Sequence, residues 1–189
     1  GSSSLFLPEL NETYHSKFGA IQEAKHVFIK HGLDLFLEVQ KVSILEIGFG
    51  TGLNTFITFL EARKSNVKVN YSGVEAYPVV FEEIAQMNYV TALQASDFES
   101  EFKKMHTCEW NLKTEISETF GLTKRKQFFQ DIQDKNKYDL IYFDAFGFPL
   151  QPELWSEVIF KKMYDALLPK GTLVTYACRS SIKNAMLSV

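Results

Sequence analysis

A short apolar run, Val42 to Ile47, stops abruptly at Gly48, Gly50 and Gly52, and Leu53, Phe56, Ile57 and Leu60 then recur at helical spacing. This predicts a strand, a tight turn and a helix. Upstream, Ala20, Ile21, Ala24, Val27 and Phe28 mark a helix from Gly19 to about Gly32. Downstream, Val67 to Val74 alternates as a second strand ending at Glu75, and Pro78 opens a helix carrying Phe81, Ile84 and Met87. Residues 91–121 exceed a minimal strand–helix repeat. Phe98, Phe102 and Met105 mark one helical face there and Trp110, Ile116 and Phe120 a second short element, so an inserted helical pair is expected.

A third strand is placed at Phe128 and Phe129, ending at Gln130 and Asp131, and a fourth at Tyr138 to Phe143, ending in Asp144. Pro152 then opens a helix with Trp155, Ile159, Met163, Ala166 and Leu167 inward, closed by Pro169, Lys170 and Gly171. Thr172 to Tyr176 is a fifth strand and Ser180 to Ser188 a last helix. Strands alternating with helices predict an α/β fold, a doubly wound, mostly parallel sheet in the order 3-2-1-4-5 with right-handed crossovers.

In such a sheet the glycine loop lies at the carboxyl edge, where helix N–H groups face a ligand. The dinucleotide pattern of glycine, x, glycine, x, x, glycine is not met, because the third glycine is Gly52 and Leu53 follows. Glu46, two residues before the first glycine, would repel a pyrophosphate but tolerate a cationic ligand, so the loop fits S-adenosylmethionine better than NAD. Glu75 falls beside the loop, placed to accept both ribose hydroxyls, and Asp131 at the same edge is placed to accept from an adenine amino group. Asp144 is delivered by an apolar strand into a Gly/Pro/aromatic loop in which Phe146, Phe148 and Trp155 offer flat surfaces for a base. The competing reading is that Asp144 caps the turn and the aromatics bury the next helix. Tyr14, His15 and Ser16 line a ligand loop or, equally, form a capped helix entry with Ser16 as the cap. Lys124, Arg125 and Lys126 are the densest basic run and read as a solvated face.

The 189 residues are enough for one domain with a substantial core, and 46% are hydrophobic, 17 of them Phe. A net charge of −3 gives no global sign of a nucleic-acid binder, so any such role must rest on a local patch. Two cysteines, Cys108 and Cys178, make no disulfide framework, and four scattered histidines show no metal spacing. No run of 18 apolar residues and no signal segment is present, and a cytoplasmic protein is expected.

With Glu46, the three glycines, Glu75, Asp131 and Asp144 in place, the chain resembles a class I S-adenosylmethionine-dependent methyltransferase. LNETYHSKFGAIQEAKHVF at 10–28, ILEIGFGTGLNT at 44–55 and DAFGFPLQPELW at 144–155 are similar to the methyltransferase module of the tRNA 5-methylaminomethyl-2-thiouridine biosynthesis bifunctional (MnmC) family, and the matches run over nearly the whole chain. The glycine loop is generic, whereas the first and last stretches are distinctive. The resemblance implies the last methyl transfer at a wobble uridine, turning 5-aminomethyl into 5-methylaminomethyl in the anticodon region of tRNA. It also implies a stand-alone form with no FAD of its own, the amine being supplied by a separate FAD-dependent oxidase or an equivalent enzyme. By resemblance, Glu46, Gly48, Gly50, Gly52 and Asn54 hold the methionine end, Glu75 the ribose, Asp131 the adenine, and Asp144 lies at the reacting amine.

The chain departs from that pattern in two places. Family members read proline directly after the residue matching Gly147, where this chain has Phe148 and then Pro149. They also begin upstream with a further strand and continue beyond the helix matching 180–188 into two more, so residues 1–189 read as a single domain trimmed at both ends, its sheet lacking the last two strands. A methyltransferase acting on another RNA or a small amine, an aminopropyltransferase, and a non-catalytic binding or scaffold domain remain open from sequence. A basic surface of Lys124–Lys126 with Lys161, Lys162, Arg179 and Lys183 would argue for RNA.

Overall fold

The structure is a computed structural model that describes residues 6–7, 12–13, 19–147 and 151–189. Tyr14, His15, Ser16 and Phe148 therefore lie outside the described residues. Two short strands, β1 (Phe6–Leu7) and β2 (Glu12–Thr13), pair antiparallel. Helix α1 (Ala20–Ala24) runs on as a π-helix, Lys25–Lys30, and the main sheet begins with β3 (Lys41–Ile47).

β3 is buried along most of its length because it is covered on both faces. Val42 and Ile44 belong to a core shared with Phe28 and with Phe56 and Phe59 of α2 (Leu53–Lys64). Leu45 and Ile47 face the opposite core, with Ile159 and Met163 of α6 (Glu157–Ala166) and Ile182 of α7 (Ser180–Leu187). Glu46 falls on the α2 side and is 1% exposed, a buried acid that the strand's alternation alone would assign to an apolar neighbour.

Around β3 the sheet carries β4 (Lys68–Glu75), β6 (Phe120–Lys126), β7 (Tyr138–Phe143) and β8 (Leu167–Thr175), all parallel in the order β6-β4-β3-β7-β8. Numbered by sequence among themselves these five are 3-2-1-4-5, as expected. A sixth strand, β5 (Lys113–Ser117), adds antiparallel to β6 at the edge.

Several local expectations are corrected. The segment before the third strand is not a helical pair. Short helix α4 (Tyr89–Ala92) and α5 (Glu99–Thr107) are followed by the β5–β6 hairpin, with Ile116 in β5 and Phe120 in β6. The third strand is Phe120–Lys126, not Phe128–Asp131, and Phe129–Asp131 is a 3-10 turn after its end. Pro78 precedes α3 (Phe81–Ile84) rather than opening it, and Pro152 opens a 3-10 turn, Pro152–Trp155, ahead of α6. Among the described residues no helix is long and apolar enough to cross a membrane, and no cluster of His, Cys, Asp and Glu is arranged to hold a metal.

Candidate functional site

The carboxyl ends of the parallel strands converge on a cavity of about 790 Å³, within the size range of small-molecule sites. Gly48, Phe49 and Gly50 line it from the turn after β3, Asn54 from α2, Glu75 and Tyr77 from the end of β4, Phe129 and Gln130 from the turn after β6, Asp144 and Phe146 from beyond β7, and Tyr176 from beyond β8.

The glycine turn is fastened to β4. Gly48 N and Phe49 N both donate to the Val74 carbonyl at 3.0 Å, and Gly50 N donates to Glu75 Oε2 at 3.0 Å. Gly48 has φ +89° and touches backbone: a Cβ there would lie 2.4 Å from the Asp144 carbonyl oxygen. Gly52, at φ +71°, caps α2, and a Cβ there would meet His106 Cε1 at 2.6 Å. Gly52 does not line the cavity, nor does Glu46. Both act from behind it. Glu46 accepts from Asn54 Nδ2 (3.0 Å), Thr55 Oγ1 (3.0 Å) and Tyr71 OH (2.9 Å). Burial, and then the charge of Asp144, push the Glu46 carboxyl up to about 8 against the pull of these donors.

Asn54 links this buried acid to the cavity, because the same Nδ2 donates to Asp144 Oδ2 at 2.8 Å. Asp144 follows β7, and its N–H donates to the Ile47 carbonyl at 2.9 Å, so the acid sits directly over the β3–β7 seam. Burial raises its carboxyl to about 7, with the Asn54 bond pulling down and the charge of Glu23 adding to the rise. Glu75 is 3% exposed and accepts from Tyr77 N at Oε1 as well as Gly50 N at Oε2.

The expected site residues thus divide. Gly48, Gly50, Asn54, Glu75, Asp144 and Phe146 meet at the cavity. Asp131 does not line it and is exposed. β6 ends five residues earlier, so the turn brings Phe129 and Gln130 to the cavity in its place. Trp155 is a core side chain, 2% exposed, with Nε1 donating to the Phe146 carbonyl at 2.7 Å and its ring 5.0 Å from Phe143; it offers no face for a base. The basic run is a solvated face only in part: Lys126 is exposed and Arg125 half-buried. Lys124 is 1% exposed, its Nζ donating to the His106 carbonyl at 2.6 Å and lying 4.8 Å over the Trp110 ring. Arg125 NH1 pairs with Asp134 Oδ2 at 2.6 Å, Lys161 is paired with Asp165, and Lys162 Nζ donates to the Ile132 carbonyl.

Sequence reasoning missed Glu23, Tyr77, Gln130 and Tyr176 at the cavity. It also missed His106, whose Nε2 is buried with no partner among the described residues and whose ring packs under Phe49 and Gly52. Burial pulls that imidazole down to about 3, keeping it neutral.

The donor set suits an adenosyl ligand with a methionine end. Glu75 presents a carboxylate for a vicinal diol, Tyr77, Phe129 and Gln130 beside it present apolar surface and an amide for a purine, and the Gly48–Gly50 backbone leaves room along the strand ends.

Comparisons with known proteins point to the same cofactor. The family described as S-adenosyl-L-methionine-dependent methyltransferase matches residues 85–189, more than half of the chain. The bifunctional tRNA 5-methylaminomethyl-2-thiouridine biosynthesis protein MnmC of Paraburkholderia xenovorans is 25% identical over 198 residues, covering 96% of this chain and 29% of that protein. The protein of the same name from Leptospira borgpetersenii is 26% identical over 193 residues, covering 93% and 29%. The chain therefore spans under a third of these bifunctional relatives. The crystal structure of MNMC2 from Aquifex aeolicus superimposes with a TM-score of 0.71 at 20% identity, covering 100% of this chain and 63% of that one.

Proposed function

Because this chain belongs to the S-adenosyl-L-methionine-dependent methyltransferase family, we propose that it methylates the aminomethyl nitrogen of a wobble uridine in tRNA, giving 5-methylaminomethyl(-2-thio)uridine. The observation that carries the proposal is Asp144, held by Asn54 through Oδ2 and lining the same cavity as Glu75. The names of the bifunctional relatives point to the same nucleoside.

Glu75, Gln130 and the Gly48–Gly50 backbone hold the cofactor, and Asn54, with Glu46 behind it, steadies the methionine end. Bound there, S-adenosylmethionine supplies a methyl group made electrophilic by its sulfonium. The chain's own task is to present an amine with a free lone pair. A primary alkylammonium starts near the lysine reference of about 10.4 and must lose a proton. Asp144 Oδ1, left over by the Asn54 bond, accepts a hydrogen bond from the nitrogen and takes its proton, while Oδ2 stays clamped so that the carboxylate keeps its orientation. Phe146 supplies apolar surface for the uracil ring, and a base from a single-stranded loop enters with little unstacking.

In this reading the partner is the anticodon region of tRNA, a separate FAD-dependent oxidase or an equivalent enzyme supplies the aminomethyl intermediate, and the reaction takes place in the cytoplasm. Labelled S-adenosylmethionine offered with tRNA carrying the aminomethyl group, with tRNA lacking it, and with free amines tests the assignment. Label confined to the modified wobble uridine supports it. Label on a ring carbon, on protein or on a polyamine overturns it.

A further inference from the structure

Asp144 shares its cavity with a second acid, Glu23, whose charge acts on it. Glu23 lies in the first turn of α1, outside the strand edge that supplies most of the site, yet its side chain lines the same cavity and is exposed to solvent. The other ionisable groups facing Asp144 come from separate elements. Glu46, from β3, is sealed behind Asn54 by three donors, and Tyr89, from α4, shares a hydrogen bond with Thr51 and stays neutral, burial pushing its hydroxyl up to about 12. Glu75 and Glu153 also line the cavity; Glu75 is engaged by two backbone N–H groups.

Resting on the amine-methylation reading above, we infer that Glu23 is a specificity-determining residue: with Asp144 it forms a two-carboxylate seat that selects a substrate nitrogen arriving as an ammonium over a neutral hydroxyl or amide. Two like charges lining one cavity repel, and a cation entering between them relieves that repulsion, which a neutral group cannot do. The same repulsion makes Asp144 the better proton acceptor, in line with the raised carboxyl described above. The proton balance then closes within the protein. The N–H bond breaks, leaving the pair on nitrogen; an O–H bond forms at Asp144 Oδ1; and the exposed Glu23 carboxylate relays that proton to water.

The test uses the purified chain and Glu23→Gln, with Glu23→Asp as the conservative control and thermal melting to confirm folding. Without cofactor, calorimetry or NMR titration with n-butylammonium and with 1-butanol reads the seat directly. Wild type should favour the ammonium, and E23Q should weaken it at least fivefold without changing the alcohol, with E23D recovering most of the loss. In turnover, E23Q should raise KM for the aminomethyl tRNA more than it lowers kcat and move the acid limb of the rate profile to lower pH. Equal binding of amine and alcohol by wild type, or unchanged KM and pH limb in E23Q, overturns the inference even if wobble-uridine methylation is established. Glu23-dependent ammonium binding by a chain that methylates no tRNA would sustain the seat and sink the tRNA reading.

Discussion

Asn54 Nδ2 donates to Asp144 Oδ2 at 2.8 Å across 90 residues of sequence, and the same nitrogen donates to Glu46 Oε1 at 3.0 Å. One amide thereby holds two carboxylates that would otherwise face each other. Removing it in Asn54→Ala leaves both acids short of a donor, so the protein should lose about 1–3 kcal/mol of stability. Because that bond lowers the Asp144 carboxyl, the acid limb of methyl transfer should move to higher pH. A melting curve and a rate–pH profile check the two effects, and an unmoved limb would separate Asp144 from the chemistry.

Glu75 serves the fold as well as the ligand. Its two oxygens accept from Gly50 N and Tyr77 N, so in Glu75→Gln an amide NH2 must face one of those N–H groups. The variant should bind S-adenosylmethionine roughly tenfold more weakly or worse, since charge-assisted bonds are worth about 1.5–3 kcal/mol. It should also melt lower without ligand. Calorimetry on the apo protein and a cofactor titration distinguish this double effect from loss of ligand contact alone.

Glu46 has a raised carboxyl in the folded state, about 8 against an ordinary 4.5. An acid raised on folding contributes stability that is fully present below its unfolded value and is lost as pH rises through the folded one. Stability should therefore decline from about pH 4.5 to 8. Glu46→Gln, which cannot ionise, should flatten that slope. Denaturant unfolding at a series of pH values measures it, and an identical slope in the variant would assign the dependence to other groups.

Gly48→Ala places a methyl 2.4 Å from the Asp144 carbonyl oxygen at a φ that side chains avoid. The backbone after β7 must shift, so activity should fall by tenfold or more from misplacement of the acid. Nuclear magnetic resonance of the Asp144 backbone amide would show the shift directly.

The parts legible in the sequence were those with one dominant cause. β3, α2 and β7 follow from apolar runs bounded by glycines or by Asp144, which located the acid after β7, and the alternation of Val67 to Val74 located Glu75. The β5–β6 hairpin was hidden because FGLTKRK reads as a solvated basic stretch. Its Lys124 is buried instead, held by the His106 carbonyl and the Trp110 face, contacts that depend on residues from other elements. Moving that strand five residues upstream displaced Asp131 from the site. Trp155 was misjudged for a related reason. Its indole N–H finds the Phe146 carbonyl, so a side chain that looked free to stack is consumed in fixing the loop after Asp144. Glu23 went unnoticed because only the packing of α1 brings it to the cavity.

The centre of the sheet joins pieces that are made far apart in time. Ser43 N and Oγ both donate to Asp139 Oδ2, at 2.8 and 2.7 Å, across 96 residues. At synthesis rates of roughly 5–20 residues per second, β3 waits on the order of 5–20 s for the strand that covers its second edge. During that interval Ile44, Leu45 and Ile47 line an open parallel edge on a nascent chain, the kind of surface that chaperones hold and neighbouring chains capture. The cofactor-binding turn and Glu75 are already made, whereas Asp144 arrives only with the strand that closes the gap. Completion of the reaction centre and protection of the most adhesive edge are thus a single event in the protein's biogenesis.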